Sequence, residues 1–135
     1  MESTMTFIRK ALAPLAFVSL LAAGPAFAQS AQEVDVALTS YAFTPSAFTL
    51  HANTTYRLHL VNSSRKGHNF AAPEFFAAST ISPADAGKIT SGAIEVDEGQ
   101  TVDVTVTPTR AGSYDLVCSH FMHTMLGMKG KITVQ

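Results

Sequence analysis

The sequence has one cysteine, few charged residues and few long apolar runs, and each shortage excludes something. A single cysteine cannot form an internal disulfide, so the fold does not depend on one. Charged residues make up 14% of the chain and leave a net charge of −1 at pH 7, which argues against a nucleic-acid partner. No apolar run after residue 28 is long enough to cross a bilayer, so we expect no membrane span in the remaining chain.

The one extended apolar run lies at the N-terminus and is typical of a secretory signal peptide. Two basic residues precede an apolar stretch at 11–23, and the small residues at 26 and 28 have the spacing that a signal peptidase requires. Retention as a membrane anchor is the alternative, but the stretch is shorter than the ~20 residues of a spanning helix. We predict a signal peptide at 1–28 and one exported domain at 29–135, which is periplasmic in a bacterium with two membranes.

The exported part shows the patterns of strands and no sustained helical period. Alternate residues of 101–107 are valines, as a strand with one buried face requires, and 56–62 alternates most clearly. Prolines and glycines interrupt the segment 71–92, where we expect only a short helical turn near 74–78. About seven or eight short strands with one irregular or short-helical insertion predict an all-β sandwich. The predicted strands are 34–41, 48–51, 56–62, 93–96, 101–107, 113–118 and 131–134.

The side chains that favour soft metals are concentrated near the C-terminus. Residues 118–128 (CSHFMHTMLGM) contain the only cysteine, two of the five histidines and every methionine outside the predicted signal peptide. Thiolate, imidazole and thioether together select copper, because sulfur holds Cu(I) while imidazole also binds Cu(II). One cysteine and two histidines in a trigonal set, with a methionine at a long axial distance, are typical of electron-transfer copper. A second histidine from elsewhere is available at His68, in the segment Gly-His-Asn-Phe.

These segments resemble the plastocyanin/azurin family of cupredoxins, the type 1 blue-copper proteins. The likeness covers nearly the whole exported part and rests on Asn62, 67–70, 114–118, His123 and 127–134. It implies a cupredoxin-like Greek-key β-sandwich that binds one copper ion per chain. The copper ligands that it implies are His68, Cys118, His123 and Met128. By the same resemblance, Asn69 braces the ligand loop and tunes the sulfur through a hydrogen bond.

The ligand loop departs from the family pattern. Family members often have Pro-Gly before the second histidine, whereas this chain has Phe121 and Met122. The loop also contains further soft ligands, so a site that uses His120 or Met125 stays open as an alternative. Against His120, the spacing Cys-x-His leaves very little chain to bring a thiolate and an imidazole around one ion at trigonal angles.

We expect a single-electron carrier rather than an enzyme, and a monomer. Copper would exchange single electrons with redox proteins such as a cytochrome or a copper or haem enzyme, and four protein ligands leave no open position for a substrate. The surplus of histidine and methionine favours a rival function, that of a copper carrier or sequestering protein. Four basic residues adjacent to the ligands in sequence predict that an acidic partner docks there, namely Arg65, Lys66, Lys129 and Lys131.

Overall fold

Ten strands form two five-stranded sheets in the computed structural model, which describes residues 30–135. The predicted signal peptide at 1–28 lies outside the described residues. Sheet A contains, in spatial order, β2 (Ala42–Thr44), β1 (Gln32–Thr39), β4 (Tyr56–Asn62), β8 (Thr101–Pro108) and β6 (Ser79–Ile81). Sheet B contains β3 (Ala47–Leu50), β10 (Lys129–Val134), β9 (Gly112–Val117), β5 (His68–Ala71) and β7 (Ala93–Val96).

The predicted all-β sandwich is confirmed, with ten strands where the sequence predicted seven or eight. Three short strands, β2, β5 and β6, were not predicted. The four residues of β5 are all buried and therefore do not alternate, and β2 and β6 have only three residues each. Such strands form because a longer neighbour pairs with them, as β8 does with β6, and a pattern of single residues does not reveal that neighbour.

The 71–92 insertion is more regular than its sequence predicts. It contains helix α1 (Pro73–Ala77), strand β6 and a 3-10 helix at Ala86–Lys88. The predicted helical turn at 74–78 is confirmed with a shift of one residue. Proline fits the first position of α1 because the amide there has no partner within the helix. The helix buries Phe75 and Phe76 against the core.

The core is built from alternate residues of the longer strands. In β4 the buried side chains are Tyr56, Leu58, Leu60 and Asn62. In β9 the same period makes Leu116 buried and continues past the end of the strand to the fully buried Cys118. The thiol therefore lies at the edge of the core. None of the helices within residues 30–135 is long and apolar enough to cross a membrane.

Candidate metal centre

Three side chains that can bind a metal converge at one end of the sandwich. The Nδ1 atoms of His68 and His123 are 3.1 Å apart, and Cys118 Sγ lies 3.4 Å from His123 Nδ1 and 3.9 Å from His68 Nδ1. All three side chains are buried. Within residues 30–135 this is the one group of three or more His, Cys, Asp or Glu residues whose ligand atoms converge in this way.

The strands bring these residues together from distant parts of the sequence. His68 begins β5 and lies opposite Val96 of β7. Cys118 directly follows β9, which pairs with β5 on one side and β10 on the other. His123 lies in the ligand loop, residues 118–128, which connects β9 to β10. Two rigid strands thus hold two of the side chains, and a short loop carries the third.

Backbone hydrogen bonds close the ligand loop at its base. Cys118 donates its N–H to the carbonyl of Met128 at 3.0 Å, and Met128 donates to the carbonyl of His123 at 3.0 Å. The hydroxyl of Thr124 donates to the carbonyl of Cys118 at 2.6 Å. Met128 is fully buried at this base. The loop therefore returns to its starting point and keeps the predicted sulfur ligand of Met128 out of solvent.

The electrostatics of the site favour neutral imidazoles. Burial lowers the pKa of His68 below the usual 6.5, and the neighbouring charges of His123, His120 and Lys66 lower it further. Burial also lowers the pKa of His123, assisted by His120 and Lys66. A neutral imidazole has a free lone pair for a metal, so both rings are in the form that a ligand requires near neutral pH.

The donor set fits a soft cation. Two imidazole nitrogens 3.1 Å apart can share at most one proton, and the thiol beside them is a weak hydrogen-bond donor. His68 Nε2 is buried and has no hydrogen-bond partner among the described residues. A cation between the two Nδ1 atoms and Cys118 Sγ would bind all three lone pairs, whereas hydrogen bonds alone offer them too few protons. This combination of nitrogen and sulfur suits copper.

The alternative ligands lie outside the buried group. His120 Nε2 is 2.9 Å from a carboxylate oxygen of Glu95, although its ring centroid is only 5.5 Å from that of His123. Met125 is 81% exposed and Met122 is 44% exposed. The structure therefore brings His68, Cys118 and His123 together and places His120 and Met125 elsewhere.

Asn69 contacts the ligand loop as the resemblance implies. Its backbone N–H donates to Cys118 Sγ at 3.5 Å. Its side-chain amide donates to Ser119 Oγ at 2.8 Å, and its carbonyl oxygen accepts from the Ser119 N–H at 2.8 Å. The expected brace between Asn69 and the loop is confirmed, and it begins at the residue that follows the cysteine.

Two residues near the site carry no sequence signal for it. The ring of Tyr41 packs edge-on against His123 with centroids 5.2 Å apart. Glu95 on β7 accepts a hydrogen bond from the Asn69 side chain at 2.9 Å through one oxygen and contacts His120 through the other. Both residues are more than 20 positions from their partners, so local patterns do not identify them.

The loop residues that flank His123 in sequence expose apolar side chains, and basic residues adjoin the ligands in sequence. The side chain of Phe121 is 90% exposed, and those of Met122, Met125 and Leu126 are exposed as well. Arg65, Lys66 and Lys129 are exposed as well. Lys131 differs from them because its ammonium pairs with Asp115 at 2.5 Å.

Comparisons with known proteins identify the family and the fold. A family described as the cupredoxin-like domain matches residues 11–134. Auracyanin B is 27% identical, with a TM-score of 0.59 over 78% of this chain and 89% of that one. Dithionite-reduced auracyanin from the photosynthetic bacterium Roseiflexus castenholzii is 19% identical, with a TM-score of 0.60 over 78% of this chain and 98% of its own.

The same fold also occurs within a larger enzyme. The multicopper oxidase McoA from the hyperthermophile Aquifex aeolicus is 15% identical, with a TM-score of 0.64 over 83% of this chain but only 31% of that one. At this identity the likeness shows the fold alone. A search of curated protein sequences finds no match.

Proposed function

The chain belongs to the cupredoxin-like family, and from that premise we propose that it is an exported type 1 copper protein that carries single electrons between redox partners. The observation that supports this most is the buried group of His68, Cys118 and His123, with ligand atoms 3.1 to 3.9 Å apart. When bound, copper would alternate between Cu(II) and Cu(I) as one electron enters from a reduced partner and leaves to an oxidised one.

We assign the copper ligands to His68, Cys118, His123 and Met128, with one ion per chain. Convergence and burial support the first three, and the buried position of Met128 at the base of the loop supports the fourth. His120 is a weaker candidate than His123 because its ring nitrogen is already paired with Glu95. Met125 is weaker than Met128 because solvent surrounds it.

The chain's own residues would keep the site rigid during electron transfer. Cys118 and Met128 are joined through their backbones, and Asn69 holds the sulfur from the neighbouring strand. Little has to move when the metal changes charge, which favours fast transfer. With four protein ligands there would be no open position for a substrate, so we expect electron transfer without enzymatic turnover.

We propose that the redox partner docks over the exposed loop residues next to His123. Phe121, Met125 and Leu126 offer an apolar contact of the kind that a transient partner covers. Lys66 and Arg65 add positive charge beside it, so an acidic face on the partner, such as a cytochrome or a copper or haem enzyme, would associate faster at low ionic strength.

A copper carrier or sequestering protein is the second candidate. The exposed thioethers of Met122 and Met125 favour it, because solvent-facing sulfur can accept Cu(I) from a donor or hold a second ion. Copper titration with absorption spectroscopy separates the two. An electron carrier binds one copper per chain with an intense visible band and cycles reversibly, whereas a carrier prefers Cu(I), exchanges it readily and shows weak colour.

Export and a periplasmic location remain part of the proposal. They rest on the N-terminal pattern at 1–28 and on a lone thiol that a bound metal would protect in an oxidising compartment. Expression of the full chain in a two-membrane bacterium, followed by fractionation and mass determination, tests them. A periplasmic product that begins at Gln29 is the expected result, and an uncleaved membrane-bound product contradicts it.

A further inference from the structure

Glu95 lies outside the candidate metal centre, yet its two partners, Asn69 and His120, each contact one of the assigned ligands. Its carboxylate is on β7, and the side chain is 58% exposed. One oxygen accepts a hydrogen bond from the Asn69 side chain at 2.9 Å, and the other lies 2.9 Å from His120 Nε2. A carboxylate that holds two partners at once fixes the distance between them.

The first connection runs through Asn69 to the sulfur. The same Asn69 amide nitrogen that donates to Glu95 also donates to Ser119 Oγ at 2.8 Å, and the Asn69 backbone donates to Cys118 Sγ at 3.5 Å. Because Asn69 is only 3% exposed, its side chain depends on these protein partners. Glu95 therefore helps to orient the Asn69 side chain, whose carbonyl oxygen holds the N–H of Ser119 next to Cys118.

The second connection runs through His120 to His123. The backbone carbonyl of His120 accepts the N–H of His123 at 3.1 Å, so an anchor on His120 also restrains the ligand that follows it. With ring centroids 5.5 Å apart, an unanchored His120 would compete with His123 for the metal. The contact with Glu95 directs the His120 ring toward sheet B instead.

We propose that Glu95 is a positioning residue for the copper site, which holds His120 away from the metal and orients Asn69 against the loop. The proposal rests on the proposed function for its copper readouts. It concerns how this chain selects one of two histidines in a loop that contains a surplus of ligands. The contact between Glu95 and His120 is exposed and contributes little to overall stability. Its loss should therefore alter the metal site and leave the free energy of unfolding nearly unchanged.

The test compares three single variants. Glu95→Ala removes both contacts. Glu95→Gln retains them, since its amide offers an oxygen to Asn69 and an N–H to an unprotonated His120 nitrogen. Glu98→Ala is the matched control, because Glu98 is an exposed carboxylate in the turn that follows β7 and has no side-chain hydrogen bond among the described residues. It removes the same charge without touching the loop.

Copper binding and the visible thiolate band are measured on each variant. We expect Glu95→Ala to weaken copper binding about tenfold, the lower end of the range for residues that orient ligands, because the side chain is more than half exposed. The band should shift or weaken as His120 enters the site. Glu95→Gln and Glu98→Ala should resemble the wild type, and Glu95→Ala with His120→Ala should recover the wild-type band position.

Amide hydrogen exchange of the metal-free protein provides a readout that does not need copper. Ser119 is exposed, and its N–H is held by Asn69, so we expect it to exchange roughly tenfold faster in Glu95→Ala, as loss of one hydrogen bond implies.

If the wild type bound no copper, the proposed function would fail while this exchange still tested the positioning role. Equal spectra and equal exchange in Glu95→Ala and Glu98→Ala would overturn the inference, and a shifted band that persists in the double variant would overturn the part that concerns His120.

Discussion

The ligand loop and the 71–92 insertion arrange their apolar side chains in opposite ways. The insertion buries Phe75 and Phe76 in the core. The loop leaves Phe121 and Met125 almost fully in solvent and buries side chains that can bind a metal. Burial of an aromatic ring stabilises the fold by about 1.5–3 kcal/mol, whereas an exposed ring adds little. This contrast indicates that the insertion contributes to stability, and it supports the proposal that the loop contacts a metal and a partner.

The two regions also differ in how they are fastened. Hydrogen bonds connect the insertion to β8, from the Ser82 N–H to the Thr105 carbonyl at 3.0 Å and from the Thr105 N–H to Asp85 Oδ2 at 2.9 Å. The loop is fastened mainly to itself and to the site. We therefore expect changes in the insertion to alter unfolding and changes in the loop to alter metal binding.

Cys118→Ser should have the largest effect on function. It removes the thiolate and should abolish the visible copper band. In the wild type, copper at 100 times its dissociation constant should stabilise the fold by about 2.7 kcal/mol, and this gain should largely disappear in the variant. Absorption titration and thermal unfolding with and without copper measure both. Far-ultraviolet circular dichroism of the metal-free variant controls for folding, and a persistent thiolate band would contradict the assignment.

Phe75→Ala should have the largest effect on stability. The ring is fully buried, so its loss should reduce the free energy of unfolding by about 3–5 kcal/mol. Because Phe75 lies in the insertion, the fraction that stays folded should retain the wild-type copper spectrum. Denaturant unfolding and absorption spectroscopy are the measurements. An altered copper spectrum with unchanged stability would contradict the view that the insertion contributes to stability and the loop to metal binding.

Asp85→Ala should reduce the free energy of unfolding by less than Phe75→Ala does, and the reduction should depend on pH. The pKa of Asp85 is lowered below its usual 3.8 by hydrogen bonds from Lys88 and from the Thr105 backbone. Because the pKa of Asp85 is lower in the folded protein than in the unfolded chain, its ionised carboxylate stabilises the fold at pH values above the unfolded pKa. This stabilisation is lost as the pH falls through the folded pKa. Near neutral pH we expect a loss of about 1–3 kcal/mol. The difference between wild type and variant should shrink in unfolding curves below pH 3.8, and a constant difference at every pH would argue against this role.

Phe121→Ser should have the smallest effect on stability. The ring is 90% exposed, so the free energy of unfolding should change by less than about 0.5 kcal/mol. Electron exchange with a redox partner should slow if the loop is the docking surface. Stopped-flow mixing with an acidic cytochrome at several ionic strengths measures this, with Glu98→Ala as a surface control. Equal rates for Phe121→Ser and wild type would move the docking surface elsewhere.

Much of the fold could be predicted because the longer strands follow simple rules. Residues 101–107 alternate strictly and 56–62 do so over most of their length, and both regions are strands in the structure. The strands that sequence reasoning missed lack this signal. His68–Ala71 is buried on both faces, and Ser79–Ile81 is a strand only because β8 pairs with it. Both short strands form by pairing with segments that are distant in sequence, and a local sequence pattern does not reveal such pairing.

Most of the candidate site could be predicted, but one of its supporting residues, Glu95, could not. The cluster of soft ligands at 118–128 and a second histidine at position 68 are visible in the sequence, and the resemblance added Asn69. Glu95 has no such signal, because its contact with Asn69 arises from the pairing of β5 with β7 and its contact with His120 joins a strand to a loop 25 residues away. We propose that such contacts decide between His120 and His123, and the sequence alone does not reveal them.

Copper titration of the mature protein, followed by absorption spectroscopy on His123→Ala and His120→Ala, tests the central claim most directly. We expect one copper per chain and an intense visible band that survives in His120→Ala and is lost in His123→Ala. A band that is intact without His123, or a wild type that binds copper without an intense band, would contradict it.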